Sequence, residues 1–141
     1  IFGGNPDYLE RADGFPALCE TYGLDFKDVV DIDIGLKYQA LASGDIDVTN
    51  AYTTDAKLAD PNVKVVALED DLHLQVNYFC STVVRRDALE RFPGLEDALM
   101  ELDGVFSDQE MAGLNYQVEV EGKDERDVAR DFLVQKGLLE G

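Results

Sequence analysis

The chain is poor in histidine and cysteine, two residue types on which much metal, redox and nucleophilic chemistry relies. His73 is its single histidine, and no partner constellation surrounds it in sequence. Its two cysteines, Cys19 and Cys80, fit neither a metal-ligand spacing nor a CxxC motif, so they read as two buried free thiols rather than a disulfide. There is no HExxH, no glycine-rich phosphate loop and no nucleophile elbow. The chain is therefore expected not to be an enzyme, and to need no metal and no cofactor. The acidic triplet Glu69-Asp70-Asp71 lacks the alternating ligands and central glycine of a calcium loop and reads as a solvated loop. Basic residues are scarce, 12 against 30 acidic, for a net charge of -18. That excess is spread along the chain and argues against nucleic acid and anionic membranes as partners. It would suit high salt and serves equally as a generic solubility device. No apolar run reaches the ~18 residues of a membrane span, and no signal-peptide pattern is present. The first residue is Ile1 rather than Met, so the expectation is a piece excised from a longer protein, whose address this absence does not reveal.

What is present is a periodic apolar pattern. With 141 residues, 45% of them hydrophobic, the chain has room for one domain, or for one domain and part of another. Ile1 to Gly4 reads as a strand running into a turn, and Asp13-Gly14-Phe15-Pro16 as a helix entry with Gly23 as its stop. A strand over Val29 to Ile34 and a helix from Gly35 to Ser43, stopped by Gly44, follow. Further strands are predicted over Ile46 to Tyr52, Val63 to Leu68 and Val76 to Val84, with a short helix from Thr54 to Ala59. After Arg85 helices dominate: Asp87 to Phe92, Leu95 to Leu102, one opened by the capping box Ser107-Asp108-Gln109-Glu110, and one capped by Asp124. Gln117 to Val120 reads as extended. The pattern predicts an α/β domain over residues 1–84 and a mostly helical segment over 85–141, without repeat or flexible linker.

The most informative stretch is Ile46-Asp47-Val48-Thr49-Asn50-Ala51-Tyr52 followed by Thr53-Thr54-Asp55. It predicts a strand whose C-terminal tip presents a tyrosine beside a helix start, the place where open α/β sheets bind ligands. A tyrosine there offers a π face for a cation and a hydroxyl for a polar group. Arg11 upstream and Tyr78 downstream complete a small-molecule site on this reading. Arg11 has a surface alternative, pairing with Glu10 or Asp13. Tyr22, Tyr38 and Tyr116 read as core, and Tyr8 is open. Thr53 and Thr54 read as caps of the following helix, with donation to a ligand carboxylate as a second role.

The ordered set Arg11-Ala12-Asp13-Gly14-Phe15-Pro16, Tyr22-Gly23, Gly35-Leu36-Lys37-Tyr38-Gln39-Ala40-Leu41, Gly44-Asp45-Ile46-Asp47-Val48, Ala51-Tyr52-Thr53-Thr54-Asp55, Leu68-Glu69-Asp70-Asp71, Val83-Val84-Arg85 and Leu114-Asn115-Tyr116 resembles the substrate-binding proteins of glycine betaine/carnitine/choline ABC importers. The resemblance implies a periplasmic-binding-protein type II-like lobe, a βαβ sheet flanked by helices. Residues 1–84 would be the second of two lobes, and residues 85–141 a returning helical segment that completes the first. It implies a quaternary ammonium ligand caged by tyrosines of both lobes, an ABC permease as partner and an extracytoplasmic address. Carried over by position, Tyr52 matches a cage tyrosine, Tyr78 a second one, and Arg11 the carboxylate-binding arginine; Thr53 lies beside the cage. The chain departs from the family at Leu74-Gln75-Val76-Asn77-Tyr78, which lacks the usual aromatic pair and two prolines, and Phe79 is a candidate replacement for the lost ring. The rival expectation is a ligand-free interaction or sensory module derived from this family, for which self-association of the piece is foreseen.

Overall fold

The computed structural model describes residues 1–75 and 79–140. Three short strands, β1 (Phe2–Gly4), β2 (Val29–Asp31) and β3 (Val48–Thr49), form one parallel sheet in the order β2-β1-β3. Phe2 faces Val29 on one side and Val48 on the other. Helices α1 (Pro6–Glu10) and α2 (Phe15–Tyr22) connect β1 to β2, and α3 (Lys37–Ser43) connects β2 to β3. With β1 in the middle, the chain leaves it toward β2 and later crosses to pair on its other side. The carboxyl ends of β1 and β3 therefore flank a topological switch point, where α/β sheets open a crevice for ligands.

Sequence explains most of these boundaries. Pro6 and Pro16 sit in the first turns of α1 and α2, where a missing N–H costs nothing. Gly23 (φ 63°) and Gly44 (φ 80°) end α2 and α3 in the left-handed conformation that glycine adopts without steric cost. Helix α1, opened by Asn5-Pro6, was not among the elements that the periodicity predicts: five residues carry too little pattern to register.

The core of the sheet is aromatic. Phe2 is 1% exposed and Ile46 2%. The Phe2 ring packs on Phe15 (4.6 Å between centroids), Phe26 (5.2 Å) and Tyr8 (6.2 Å). A Cβ on Gly3 would stand 2.7 Å from the Ile46 Cδ1, and a Cβ on Gly4 2.9 Å from the Leu9 Cδ2, so the middle strand has little room for side chains at either position.

After the sheet come a 3-10 turn (Ala56–Leu58) and helices α4 (Arg86–Arg91), α5 (Leu95–Met100), α6 (Asp108–Glu119) and α7 (Glu125–Gln135). α6 packs back on the 3-10 turn and on α7, with Asn115 Nδ2 donating to the Thr54 carbonyl at 2.9 Å. Ala112, Val128 and Phe132 are buried, and Phe132 meets Phe106 at 5.6 Å. Both predicted caps are present: Ser107 and Glu110 form a reciprocal capping box, and Asp124 accepts from the Arg126 and Asp127 amides.

Several expectations are corrected. Residues 63–68 form no strand, and Val66 and Leu68 stand about four-fifths exposed (79% and 80%). Residues 79–84 are likewise without a ladder, with Val83 95% exposed; Val76 to Tyr78 lie outside the described residues. A β-prone run becomes a strand only when a neighbouring backbone offers its N–H and C=O groups. Gln117 to Val120 is not extended but closes α6, because the packing of that helix overrides the β-branched preference of its valines and Gly122 (φ 72°) follows as the stop. The helix over Thr54 to Ala59 is a single 3-10 turn. The strand predicted over Ile46 to Tyr52 shrinks to Val48–Thr49, with Asn50 to Tyr52 already in a loop. Both thiols are free, but Cys19 is half-buried and Cys80 exposed, since Cys80 falls in the segment that finds no sheet.

The α6–α7 junction carries a pH-dependent link. Glu110 accepts from Lys136 Nζ at 2.7 Å and from the Ser107 amide at 2.9 Å. Lys136 first, and then Ser107, hold its carboxyl down at about 2. A carboxylate depressed on folding contributes stability that is complete above its unfolded value and disappears as pH falls through its folded one. This contribution is thus complete above pH ~4.3 and lost as pH approaches about 2. The side-chain carboxyl carbon of Glu110, followed by NMR, is expected to titrate near 2. An ordinary glutamate midpoint would show that the link does not persist in solution.

Candidate functional site

Two loops leave the carboxyl edge of the sheet at the switch point. From β1 the chain enters α1 and then the tight turn Arg11-Ala12-Asp13-Gly14. From β3 it runs through Asn50 and Ala51 to Tyr52. The fold thus brings Arg11 and Tyr52, 41 positions apart in sequence, onto loops from adjacent parallel strands.

Arg11 caps the C-terminus of α1 with an extended backbone. Its guanidinium grips Asp13 through two parallel bonds, Nε to Oδ1 at 2.9 Å and Nη2 to Oδ2 at 2.7 Å, and lies 3.6 Å from Asp7. Asp13 is held below the usual carboxylate range chiefly by that bond. Arg11 is exposed, so it presents a guanidinium whose orientation is set by a neighbouring carboxylate. Gly14 closes the turn, its N–H donating to the Arg11 carbonyl at 3.0 Å. A Cβ on Gly14 would collide with the Tyr8 carbonyl oxygen.

Tyr52 is 51% exposed, its ring open to solvent at the end of β3. On its inner side lies Lys37, the first residue of α3 and 5% exposed, with Nζ 5.9 Å from the ring centroid. Lys37 Nζ pairs with Asp55 Oδ2 at 2.7 Å and donates to the Asn50 carbonyl at 3.2 Å. Asp55 Oδ2 also accepts the Tyr38 hydroxyl at 2.8 Å and the Tyr52 amide at 3.4 Å. Burial first, and then the Asp55 carboxylate, raises the Tyr38 hydroxyl far above its ordinary pKa. Tyr38 is therefore a fixed donor, half-buried where the sequence reads as core.

The expected capping role of Thr53 and Thr54 is not found. Asp55 holds the cap position without a side-chain cap bond, because its carboxylate is committed to Lys37. Thr53 stands exposed in the turn after Tyr52. Tyr78 lies outside the described residues. Sequence reasoning missed Lys37 altogether, since a lysine at a helix start reads as solvated, and nothing local reveals that Asp55 reaches it. The acidic triplet is also more than a solvated loop: Asp70 accepts the Tyr22 hydroxyl and the Leu74 and Gln75 amides at 3.0 and 2.7 Å. Its carboxyl is lowered mainly by Tyr22. Among the described residues no group of histidine, cysteine or acidic side chains could hold a metal ion. A groove of about 650 Å³ is lined by Lys37, Tyr38, Asp55, Lys57, Val63 and Glu119 among others, and neither Arg11 nor Tyr52 is among the described residues that line it. The Tyr52 ring is exposed and lies outside that groove.

Residues 1–135 match the family described as the substrate-binding domain of ABC-type glycine betaine transport systems (OpuAC). The chain belongs to this family. It is a transport substrate-binding family, not an enzyme family. The chain is 36% identical over 137 residues to an ergothioneine transport permease/ergothioneine binding protein of Helicobacter pylori strain G27, covering 97% of this chain and 24% of that protein. It is 32% identical over 140 residues to the carnitine transport binding protein OpuCC of Listeria monocytogenes, covering 99% and 45% respectively. A crystal structure of a glycine betaine/carnitine/choline ABC transporter superposes with a TM-score of 0.82 at 32% identity, over 99% of this chain and 50% of that one. The chain thus spans half or less of the length of these relatives. Among the described residues no helix is long and apolar enough to cross a membrane.

Proposed function

We propose that this OpuAC chain forms one lobe of an extracytoplasmic solute-binding protein that captures a quaternary ammonium solute and hands it to an ABC permease. The reading rests on the open Tyr52 ring at the β1/β3 switch point of a chain in this family. A trimethylammonium group has no N–H to donate, so aromatic faces hold it, each contributing roughly 0.5–2 kcal/mol. Arg11, preset by Asp13, suits the carboxylate of a betaine better than a lysine would. Glycine betaine, carnitine and ergothioneine, the ligands named for relatives, each carry both a trimethylammonium group and a carboxylate. Residues 1–84 would form the second lobe, with Thr53 and Tyr78 as further ligand-binding residues, and residues 85–141 would lead back to the first. Ligand bridging both lobes would favour the closed form that the permease receives.

A second reading has one observation in its favour. Arg11 already engages Asp13 and Asp7, so a ligand carboxylate must share or displace them, and a ligand-free interaction module would need no such exchange. Calorimetric titration of the complete two-lobed protein decides between them. Glycine betaine, carnitine or ergothioneine is expected to bind, and Arg11→Ala to weaken these about tenfold, by loss of one charge-assisted contact, while leaving choline, which has no carboxylate, unchanged. Equal losses for choline would make Arg11 structural. Silence across the panel from folded protein would transfer the assignment to the interaction module.

A further inference from the structure

We infer that Lys37 is a positioning residue for the Tyr52 ring, holding the end of β3 through the Asp55 carboxylate and leaving the outer face of the ring to a ligand cation. The inference rests on the ligand role proposed for Tyr52. Its basis is a convergence on one atom. Asp55 Oδ2 takes the Lys37 ammonium at 2.7 Å, the Tyr38 hydroxyl at 2.8 Å and the Tyr52 amide at 3.4 Å. Lys37 adds the Asn50 carbonyl at 3.2 Å. The first two residues of α3 are thereby tied to both ends of the segment Asn50 to Asp55, with Tyr52 between the ties.

Stability alone does not account for a lysine here. Lysine is almost never buried unless paired, and a buried ion pair is often no more stabilising than apolar residues of the same volume. What the pair does provide is direction. The ammonium stands over one face of Tyr52, 5.9 Å from the centroid, and over Tyr38 at 5.2 Å. One side of the Tyr52 ring is thus occupied from within the protein, and the side toward solvent is the one left for a ligand. The charge on that inner face is cancelled by Asp55 at contact distance. A ligand cation on the outer face therefore meets a neutral pair rather than a bare ammonium beneath the ring. Without Asp55 the same ammonium would repel it through a medium of low dielectric.

The test uses the complete two-lobed protein with fluorotyrosine labels, the Tyr52 resonance being assigned by Tyr52→Phe. Two quantities are read: the Tyr52 resonance without ligand, and the affinity for glycine betaine and choline. Lys37→Met is expected to shift or broaden the Tyr52 resonance while the Tyr8 and Tyr116 resonances stay in place, and to weaken both ligands about tenfold. Asp55→Asn keeps an acceptor for Tyr38 but strips the neutralising charge. It is expected to weaken both ligands at least as much, and it carries the same two readouts if Lys37→Met does not fold. A folded variant with the Tyr52 resonance and both affinities unchanged overturns the inference. If the resonance moves but the unmutated protein binds no quaternary ammonium compound, the positioning role stands and the ligand reading falls. If the unmutated protein binds and Lys37→Met leaves both readouts alone, the positioning role falls by itself.

Discussion

Replacing Gly14 by alanine is expected to destabilise the protein by about 3 kcal/mol, at the upper end of what overpacking a rigid site costs. The added Cβ would fall on the Tyr8 carbonyl oxygen, and within 3.2–3.3 Å of the Tyr8 carbonyl carbon and the Arg11 carbonyl oxygen. These are backbone atoms, so no side chain can rotate away to make room. The turn itself has to open, and two hydrogen bonds run through it: Gly14 N–H to the Arg11 carbonyl, and Leu18 N–H to the Gly14 carbonyl, both at 3.0 Å. Opening it loosens the start of α2 and hence Phe15, one of the rings against Phe2. Urea denaturation of the variant should show a lower midpoint with an unchanged slope. A midpoint within error of the unmutated protein would mean that the turn has a relaxed alternative that the structure does not display. The same variant should also blur the orientation of Arg11, since the Arg11–Asp13 grip is built across this turn.

Tyr52→Ala is expected to weaken every quaternary ammonium ligand of the complete protein by about 10- to 100-fold, the range in which a central aromatic anchor falls. The loss should be similar for choline and for glycine betaine, because in the proposed role the ring addresses the cation and not the carboxylate. That distinguishes it from Arg11→Ala, whose effect should depend on the carboxylate. Tyr52→Phe should retain most of the affinity, as a cation–π contact needs the face and not the hydroxyl. Stability should change little, because the ring is half exposed and its removal leaves Lys37 paired with Asp55. Unchanged affinity in Tyr52→Ala, measured by calorimetry, would remove Tyr52 from the site.

These two residues show how unequally the site can be read from sequence. The sequence singled out Tyr52 through three local signals, an alternating strand, an aromatic at its tip, and hydroxyls with an acid behind it; the structure keeps the ring exposed beyond a shorter strand, without the hydroxyl caps. Gly14 was legible as the entry to a helix, but not as a point of close backbone approach, since contact with Tyr8 depends on how α1 folds back. Arg11 was legible with its surface alternative, and the structure realises that alternative through Asp13 and, more distantly, Asp7, without deciding the ligand role. Lys37 was invisible. Its burial depends on Asp55, 18 positions away in sequence, being carried across β3 to meet it.

The sequence by itself determined the class of the fold, because periodicity and stop residues are local: glycines 23 and 44 end helices, Ser107 and Asp124 start them, and Phe2 to Gly4 has the apolar and small residues of a buried middle strand. It also determined the family, through an ordered set of motifs. Only the tertiary structure decided which apolar runs became strands. Val63 to Leu68 has the composition of one, yet ladder bonds are supplied by a neighbouring chain segment, and among the described residues none pairs with it. Only the tertiary structure set the strand order that places β1 and β3 side by side, and so put the Arg11 and Tyr52 loops on one edge. The same holds for the Lys37–Asp55 pair, because pairing of charges across a fold is a matter of distance in space, which a linear pattern does not contain.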